Sequence, residues 1–547
     1  MGWGWPRKRF LGQARGCGDR AAANPARIVV DLKTPLPNEM PLGRGQVLFM
    51  TGWLHYAGAP PRSAVLVVDG LERPFPVFLM GRGHCPLMPD SNDTDTNGRA
   101  TAFYGWLEVP GSFAKPQLAA RLFVAPPNGT TQACDLGTTR ILRPEPAQVA
   151  PPRDTPVVAI CMATYNPPPD LFARQIASIR GQSYTNWICY ISDDGSPAES
   201  LARTKEVLGD DPRFRLHAHG GRLGFYYNFE RAMSLVAHDA EFVALSDQDD
   251  SWYPEKLATL LAAFTSDDTT LVYSDMRIVD GADNRLADTF WNIRKNCWTN
   301  LASLILANTV TGAASMFRRG LLDRVLPFPP KLGDQTYHDH WLAMTALASG
   351  RLRFLPQPLY DYVQHGSNVI GHDATGSGAA PRRTHLGWLR ARLKTVRRSF
   401  EIQFLKEKIH LRLTNQQTAF YADVLRTAGM ARTLLLRCGD RLHGRDRWAV
   451  RRLARIDSPL TVLWLMARGL PRYRSTSETI GFEWSLYLPA LAWGRAVRTG
   501  IDPSTVLEYA KRVRRNGIFA WRFIRDRGWR QTARAILSKQ RKARRSP

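Results

Sequence analysis

The chain has no internal repeat, no C-x-x-C pair and no apolar run long enough to cross a bilayer, and each absence removes a class of protein. Its seven cysteines, at 17, 85, 134, 161, 189, 297 and 438, lack metal-finger spacing and are too sparse in 547 residues to act as a disulfide framework. Reduced thiols are therefore expected, including Cys85 and Cys134, which share the amino-terminal region. The two best apolar stretches are cut by charge, since 459–467 stops at Arg468 and 480–493 contains Glu483. Residues 1–10 carry Arg7, Lys8 and Arg9, but a polar, Gly-rich stretch follows where a secretion signal would need an apolar core. Acid is scarce at the carboxy end, where Asp526 is the only acidic residue from Lys511 onward. There Arg512, Arg522, Arg525 and Arg530 interleave with Phe519, Trp521, Phe523 and Trp529. That pattern suits an amphipathic helix lying on an anionic membrane surface, and a solvated basic tail is the other reading.

What is present is a folded, strongly basic chain. Hydrophobic residues make up 44%, enough for a sizeable core, and 74 Lys plus Arg against 48 Asp plus Glu leave a net charge of +26 that favours polyanionic partners. No zinc-knuckle, RNP or helix-turn-helix signature accompanies the charge, so nucleic acid is not the expected partner. Texture divides the chain into five parts: a basic disordered tail over 1–26, a β-sandwich-like accessory domain over 27–145, a Pro-rich linker over 146–156, an α/β domain over 157–378, and a basic α-helical accessory region over 379–547. In the last part, Trp388, Leu389, Leu393, Val396 and Phe400 have the spacing of one buried helical face. In the accessory β domain Trp53, His55, Tyr56, Phe103, Tyr104 and Trp106 could stack on sugar rings, although aromatics in a small sandwich more often form its core.

From 157 onward, apolar strands alternate with helical periodicity, which predicts a mainly parallel sheet flanked by helices. Strands are expected at 157–163, 187–192, 214–219 and 242–246, with helices at 170–181 and 225–238. In open α/β sheets the ligand site lies beyond the carboxyl ends of the strands. Three strand ends are polar: Thr164-Tyr165-Asn166, Asp193-Asp194-Gly195-Ser196, and Ser246-Asp247-Gln248-Asp249-Asp250. Acidic groups bunched in this way repel one another unless a cation or donor groups neutralise them. Asp247 and Asp249 project to the same side if the chain stays extended, which suits one hard divalent ion, Mg2+ or Mn2+. Helix capping is the competing explanation, and it fits Asp250 or Ser251 better.

Residues 157–371 resemble the family 2 glycosyltransferases of GT-A type, and within them a bacterial rhamnosyltransferase-like branch. The resemblance rests on those three strand ends together with Leu223-Gly224-Phe225 through Asn228-Phe229, Thr311-Gly312, His338-Asp339-His340-Trp341 and Gln364-His365-Gly366-Ser367-Asn368-Val369. It implies an inverting, metal-dependent glycosyltransferase of cell-surface polysaccharide assembly. Such an enzyme takes a dTDP- or UDP-sugar and adds rhamnose or a hexose to a glycan or lipid-linked acceptor. It further implies that Thr164, Tyr165, Asn166, Asp193, Asp194, Asn228 and Asp247 bind the nucleotide sugar, with Asp194 accepting from the base. Asp249, Asp247 and His365 would hold the metal, and Asp339 would be the catalytic base. For Asp339, a capping or helix-dipole role is the structural alternative.

The chemistry is coherent, because a divalent cation stabilises the leaving diphosphate while one carboxylate takes the acceptor proton from the opposite face. No Q-x-x-R-W motif is present, which favours addition of one or a few sugars over processive synthesis. A sugar-nucleotide pyrophosphorylase is the rival enzyme class, but it calls for a Gly-rich phosphate loop where Thr164-Tyr165-Asn166-Pro167 stands. A non-catalytic polyanion- or carbohydrate-binding protein is the other rival. The expected location is the bacterial cytoplasm, peripherally on the inner face of the membrane.

Overall fold

The computed structural model describes residues 28–56, 59–80, 100–127, 130–143, 155–292, 295–332, 336–365, 417–456 and 458–469, together with Thr479, Glu483 and Leu486. The predicted helical face at 388–400, both terminal tails, most of the Pro-rich linker and Cys85 lie outside these residues. The Cys134 thiol donates to the Ile28 carbonyl at 3.7 Å.

The amino-terminal strands are β1 (Val29–Leu32), β2 (Glu39–Pro41), β3 (Gly45–His55), β4 (Ser63–Val68), β5 (Phe75–Met80), β6 (Ala100–Pro110), β7 (Gln117–Ala125) and β8 (Gln132–Leu142). They form one continuous ladder in the order β1-β3-β6-β5-β4-β7-β8-β2. The sandwich-like layering arises because this single sheet curls on itself: the Ile28 amide donates to the Gln132 side chain at 2.9 Å. Alternation along β7, where Leu118, Ala120, Leu122 and Val124 are fully buried, fills the enclosed core with Leu54, Leu66, Phe103 and Leu107. The aromatics considered for sugar stacking are core: Trp53, Tyr56, Phe103, Tyr104 and Trp106 are all buried.

The second sheet begins with β9 (Val157–Thr164), α1 (Pro169–Arg180), β10 (Trp187–Asp193), α2 (Ala198–Leu208), β11 (Phe214–Ala218), α3 (Phe225–Ser234) and β12 (Ala240–Ser246). It continues with β13 (Ser251–Trp252), α4 (Lys256–Ala262), β14 (Thr269–Asp280), β15 (Arg285–Ala287), α5 (Leu301–Leu306), β16 (Ser315–Arg318), α6 (Leu322–Val325), α7 (His338–Ser349) and β17 (Arg351–Gln364). The order is β11-β10-β9-β12-β16-β14-β17-β13, with β15 paired to β14. The four leading strands are parallel, as their apolar texture predicts, and beyond β12 the sheet becomes mixed because β16 runs antiparallel to both neighbours. Val158, Ala159, Ile160, Cys161 and Met162 are all fully buried, as befits a central strand covered on both faces.

The helix Gln417–Cys438 joins the two sheets. Val424, Ala428, Ala431 and Leu434 are buried against a core shared by Val47 and Trp106 of the first sheet and Trp341 and Leu342 of α7. At Gly429 a Cβ would sit 3.3 Å from the Trp106 ring, so glycine allows this close approach. Arg437, fully buried near the helix end, donates to the carbonyls of Gly45, Arg324 and Val325 and to the Gln46 side chain.

Candidate active site

Because β9, β10 and β12 are parallel neighbours, their carboxyl ends open on one edge of the sheet, with Asp193 beside Thr164 in register. Two groups of polar residues gather there. In the first, Asp193 is fully buried and accepts from the Thr164 hydroxyl at 3.1 Å and from the Ser196 amide and hydroxyl at 2.8 and 2.6 Å. Ser196 in turn accepts from the Asn166 amide at 2.8 Å, and Asn166 takes φ +41°, a left-handed conformation that asparagine tolerates. Asn228, on the buried face of α3, donates to the Thr164 and Ser192 carbonyls and accepts from the Ser192 hydroxyl at 2.7 Å. Asp193 and Asn228 thus tie two strands, a turn and a helix together, with their hydrogen-bonding capacity largely taken up inside the protein.

Asp194, next along the chain, accepts from the amides of Leu223 and Gly224 at 2.8 and 2.7 Å and from Arg231 at 3.2 Å. Burial pushes its carboxyl above the ordinary range, and those donors and Arg222 pull against the rise. Tyr165 is the outward-facing member, 37% exposed, with the Arg222 guanidinium 3.8 Å above its ring. Its amide donates to the Gln248 side chain at 3.0 Å, linking this group to the acidic segment.

The second group is acidic. The chain leaves β12 through Asp247-Gln248-Asp249-Asp250 and is pinned again by β13, which pairs with β17. β17 ends immediately before His365, and this delivers the His365 Nε2 to within 2.8 Å of Asp249 Oδ2. Asp339 stands in the first turn of α7, where Tyr337 is the cap residue, so Asp339 is not itself the cap. It accepts from the His340 amide at 2.6 Å and from the Gly312 amide at 3.3 Å. The acids sense one another: withdrawal from solvent raises Asp247 to about 7, and the charges of Asp249 and Asp339 add to the rise. Asp339 is raised to about 6, mainly by burial. Asp249 is also raised by burial, against the pull of His365, and Asp250 is pushed well above its ordinary range by burial and by its two acidic neighbours.

The structure therefore brings Asp247, Asp249, His365 and Asp339 together and sets Asp194 among cationic and amide groups instead. Four contributors were given no role of their own by sequence reasoning. Arg231 lies three residues after Asn228 on α3, a spacing that could have flagged it. Arg222 and Gln248 sit in loops without a periodic signal. Lys256 read as the start of a helix, yet its ammonium is fully buried, donates to the Ala313 carbonyl at 2.6 Å and lies 3.8 Å from the Trp252 ring centre.

Among the described residues no three His, Cys, Asp or Glu side chains form a ready-made metal cage. The donors present nonetheless fit a divalent ion that takes its other ligands from a diphosphate and water, since Mg2+ sites commonly use one or two protein groups. The adjoining Asp250 Oδ2 is buried without a hydrogen-bond partner, and the only cation acting on Asp247 among these groups is Lys256, so the cluster is short of positive charge.

Residues 159–326 match the family description "Glycosyl transferase family 2". This segment is a family 2 glycosyltransferase domain. In its α/β architecture β11, β10, β9 and β12 are parallel, with the acidic segment at the carboxyl end of β12. An uncharacterised glycosyltransferase of Nostoc is 27% identical over 222 residues, covering 39% of this chain and 66% of that protein. A UDP-Glc:alpha-D-GlcNAc-diphosphoundecaprenol beta-1,3-glucosyltransferase of Escherichia coli is 24% identical over 165 residues, covering 29% of this chain and 62% of that protein. The chain spans between 14% and 66% of the lengths of its curated relatives. Among solved structures, Staphylococcus aureus TarS in complex with UDP-GlcNAc aligns over 62% of this chain and 91% of its own, at 14% identity and a TM-score of 0.35.

Proposed function

We propose that the chain transfers one sugar, rhamnose or a hexose, from a dTDP- or UDP-linked donor to a hydroxyl of a glycan or lipid-linked acceptor, with inversion, in cell-surface polysaccharide assembly. The observation that carries this reading is the mutual approach of three carboxylates, in which Asp247 feels both Asp249 and Asp339. Asp339 is the base: half-buried and anchored by two backbone amides, it keeps a fixed orientation and a raised proton affinity suited to taking a proton from an attacking hydroxyl. Asp249, with Asp247 and His365 beside it, would hold the divalent cation, Mg2+ or Mn2+, through one or two direct ligands, and the ion would supply positive charge to the leaving diphosphate.

Tyr165 and Thr164 contact the nucleoside, and Asp194 presents its buried carboxylate to the base. Asn166, Asp193 and Asn228 act on the donor by fixing the strand ends that carry these groups. Residues 157–378 supply the catalytic unit, flanked by accessory regions at 27–145 and 379–547, and the protein works on the inner face of the cytoplasmic membrane. Incubating the purified chain with a panel of nucleotide sugars tests this. We expect Mg2+- or Mn2+-stimulated release of nucleoside diphosphate from at least one dTDP- or UDP-sugar, and no release from any donor would overturn the reading.

A further inference from the structure

Beyond the site, exposed apolar side chains concentrate in one place. Three of the seven large hydrophobic residues that are exposed among the described residues, Trp448, Leu460 and Leu463, fall within sixteen positions, at 46%, 59% and 60% exposure. They sit on the helices Gly444–Ala454 and Pro459–Gly469. On the first helix, Arg445, Trp448 and Arg451 recur at three-residue intervals and are all exposed, so they form one outward stripe, and Arg455 at the helix end is exposed too. On the second, Leu460, Leu463 and Ala467 do the same at three- and four-residue intervals. The two helices touch where Trp448 meets Trp464 edge-on at 5.4 Å between ring centres. Arg452 and Arg468 lie over those two rings at 5.1 and 5.8 Å. From Arg441 to Gly469 the sequence holds seven arginines against Asp446 and Asp457.

Exposed leucines beside tryptophans that sit among arginines match the interfacial zone of a bilayer. There acyl chains receive the apolar tips, the headgroup layer receives indole rings, and anionic phosphates receive guanidinium groups. A protein partner would be expected to present acid against these arginines and a matching apolar pocket, whereas an anionic membrane supplies both over an extended plane. We infer that this two-helix patch docks the protein on an anionic lipid surface. The patch is also tied to the transferase domain. Arg468 donates to Asn300 Oδ1 at 3.4 Å, and Asn300 caps α5 by accepting from the Ser303 amide. From α5 the chain runs directly to Gly312, which touches Asp339. If the transferase reading holds, docking here places the acceptor side of the site near the bilayer.

Vesicle flotation of the full chain, with no nucleotide sugar present, tests docking separately from catalysis. Wild-type protein floats with vesicles containing phosphatidylglycerol, floats far less with pure phosphatidylcholine, and is released as salt rises. Leu460→Glu with Leu463→Glu lowers the partition coefficient on phosphatidylglycerol vesicles by about tenfold or more. The thermal midpoint is unchanged, because both side chains already face water. Arg445→Glu with Arg451→Glu gives a similar loss. Equal flotation of the leucine variant and wild type would overturn the proposal and move any binding to another basic surface, such as residues 511–547. Failure of the wild type to float on anionic vesicles would overturn it outright.

Discussion

Asp339 gains its proton affinity from burial and is held by backbone amides alone, so its titration should be visible in turnover. With the carboxyl raised to about 6, the base form is lost as pH falls through that value, and kcat/KM should rise with pH to a plateau with a half-maximal point near 6. A raised carboxyl also means that the folded protein binds the proton more tightly than the unfolded chain does. Its stabilising contribution is present below the ordinary carboxylate range and is lost as pH rises through the folded value. Asp339→Asn should therefore lower kcat by about 100-fold or more, yet leave the thermal midpoint above pH 6 no lower than that of the wild type. A variant with near-wild-type turnover would contradict the assignment. The sequence singles out this residue because it sits in a motif-like run. Its partner Gly312 was legible only as part of a motif, and the reason for a glycine there emerged from the packing.

At the scale of elements, the loop before β16 and the start of α7 meet so closely that a Cβ at Gly312 would lie 2.8 Å from His338 Nε2 and 3.4 Å from the Asp339 Cβ. His338 cannot yield easily, since it is buried and stacked on Phe229 with ring centres 3.6 Å apart. Gly312→Ala should therefore displace the first turn of α7, lowering kcat by roughly tenfold to 100-fold with a smaller effect on donor KM. Unchanged kinetics would show that the contact can relax.

Sequence reading succeeded best where periodicity was strong. β9, β10 and β12 were anticipated within a residue or two, and so was the clustering of polar groups at their ends. It was blind to α2, whose face buries Ser200 and Thr204 beside Leu208 and so lacks an apolar stripe. It also did not foresee the mixed half of the sheet, because β16 runs antiparallel to β12 and β14, β17 reaches β14 from far along the chain, and strand direction leaves no local mark. His365 was named from its motif, but its approach to Asp249 depends on that long-range pairing.

Over the whole molecule, one continuous core runs from the outer face of the first sheet through the helix Gln417–Cys438 into α7. Arg437 is the polar pin of this junction, its guanidinium buried and its proton affinity lowered to about 10 by burial. Replacing it with methionine strands the carbonyls of Gly45, Arg324 and Val325, at a cost of about 3 kcal/mol or more. Arg437→Met should lower the thermal midpoint clearly, whereas a midpoint equal to wild type would mean that the sheets are joined by apolar packing alone. The curl of the first sheet and this three-way junction had no signature in the sequence, since the curl depends on contacts such as Ile28 with Gln132, 104 positions apart, and the junction on contacts such as Arg437 with Gln46, 391 positions apart.

The central claim is that the acids after β12 and at the start of α7 frame one sugar-transfer site. Nucleoside diphosphate release from the best dTDP- or UDP-sugar, measured with Mg2+ or Mn2+ and again with chelator for wild type and Asp249→Asn, tests it most directly. We predict metal-stimulated release in the wild type that falls by about 100-fold or more in Asp249→Asn and does not respond there to added metal. Release by Asp249→Asn at the wild-type rate would contradict the account.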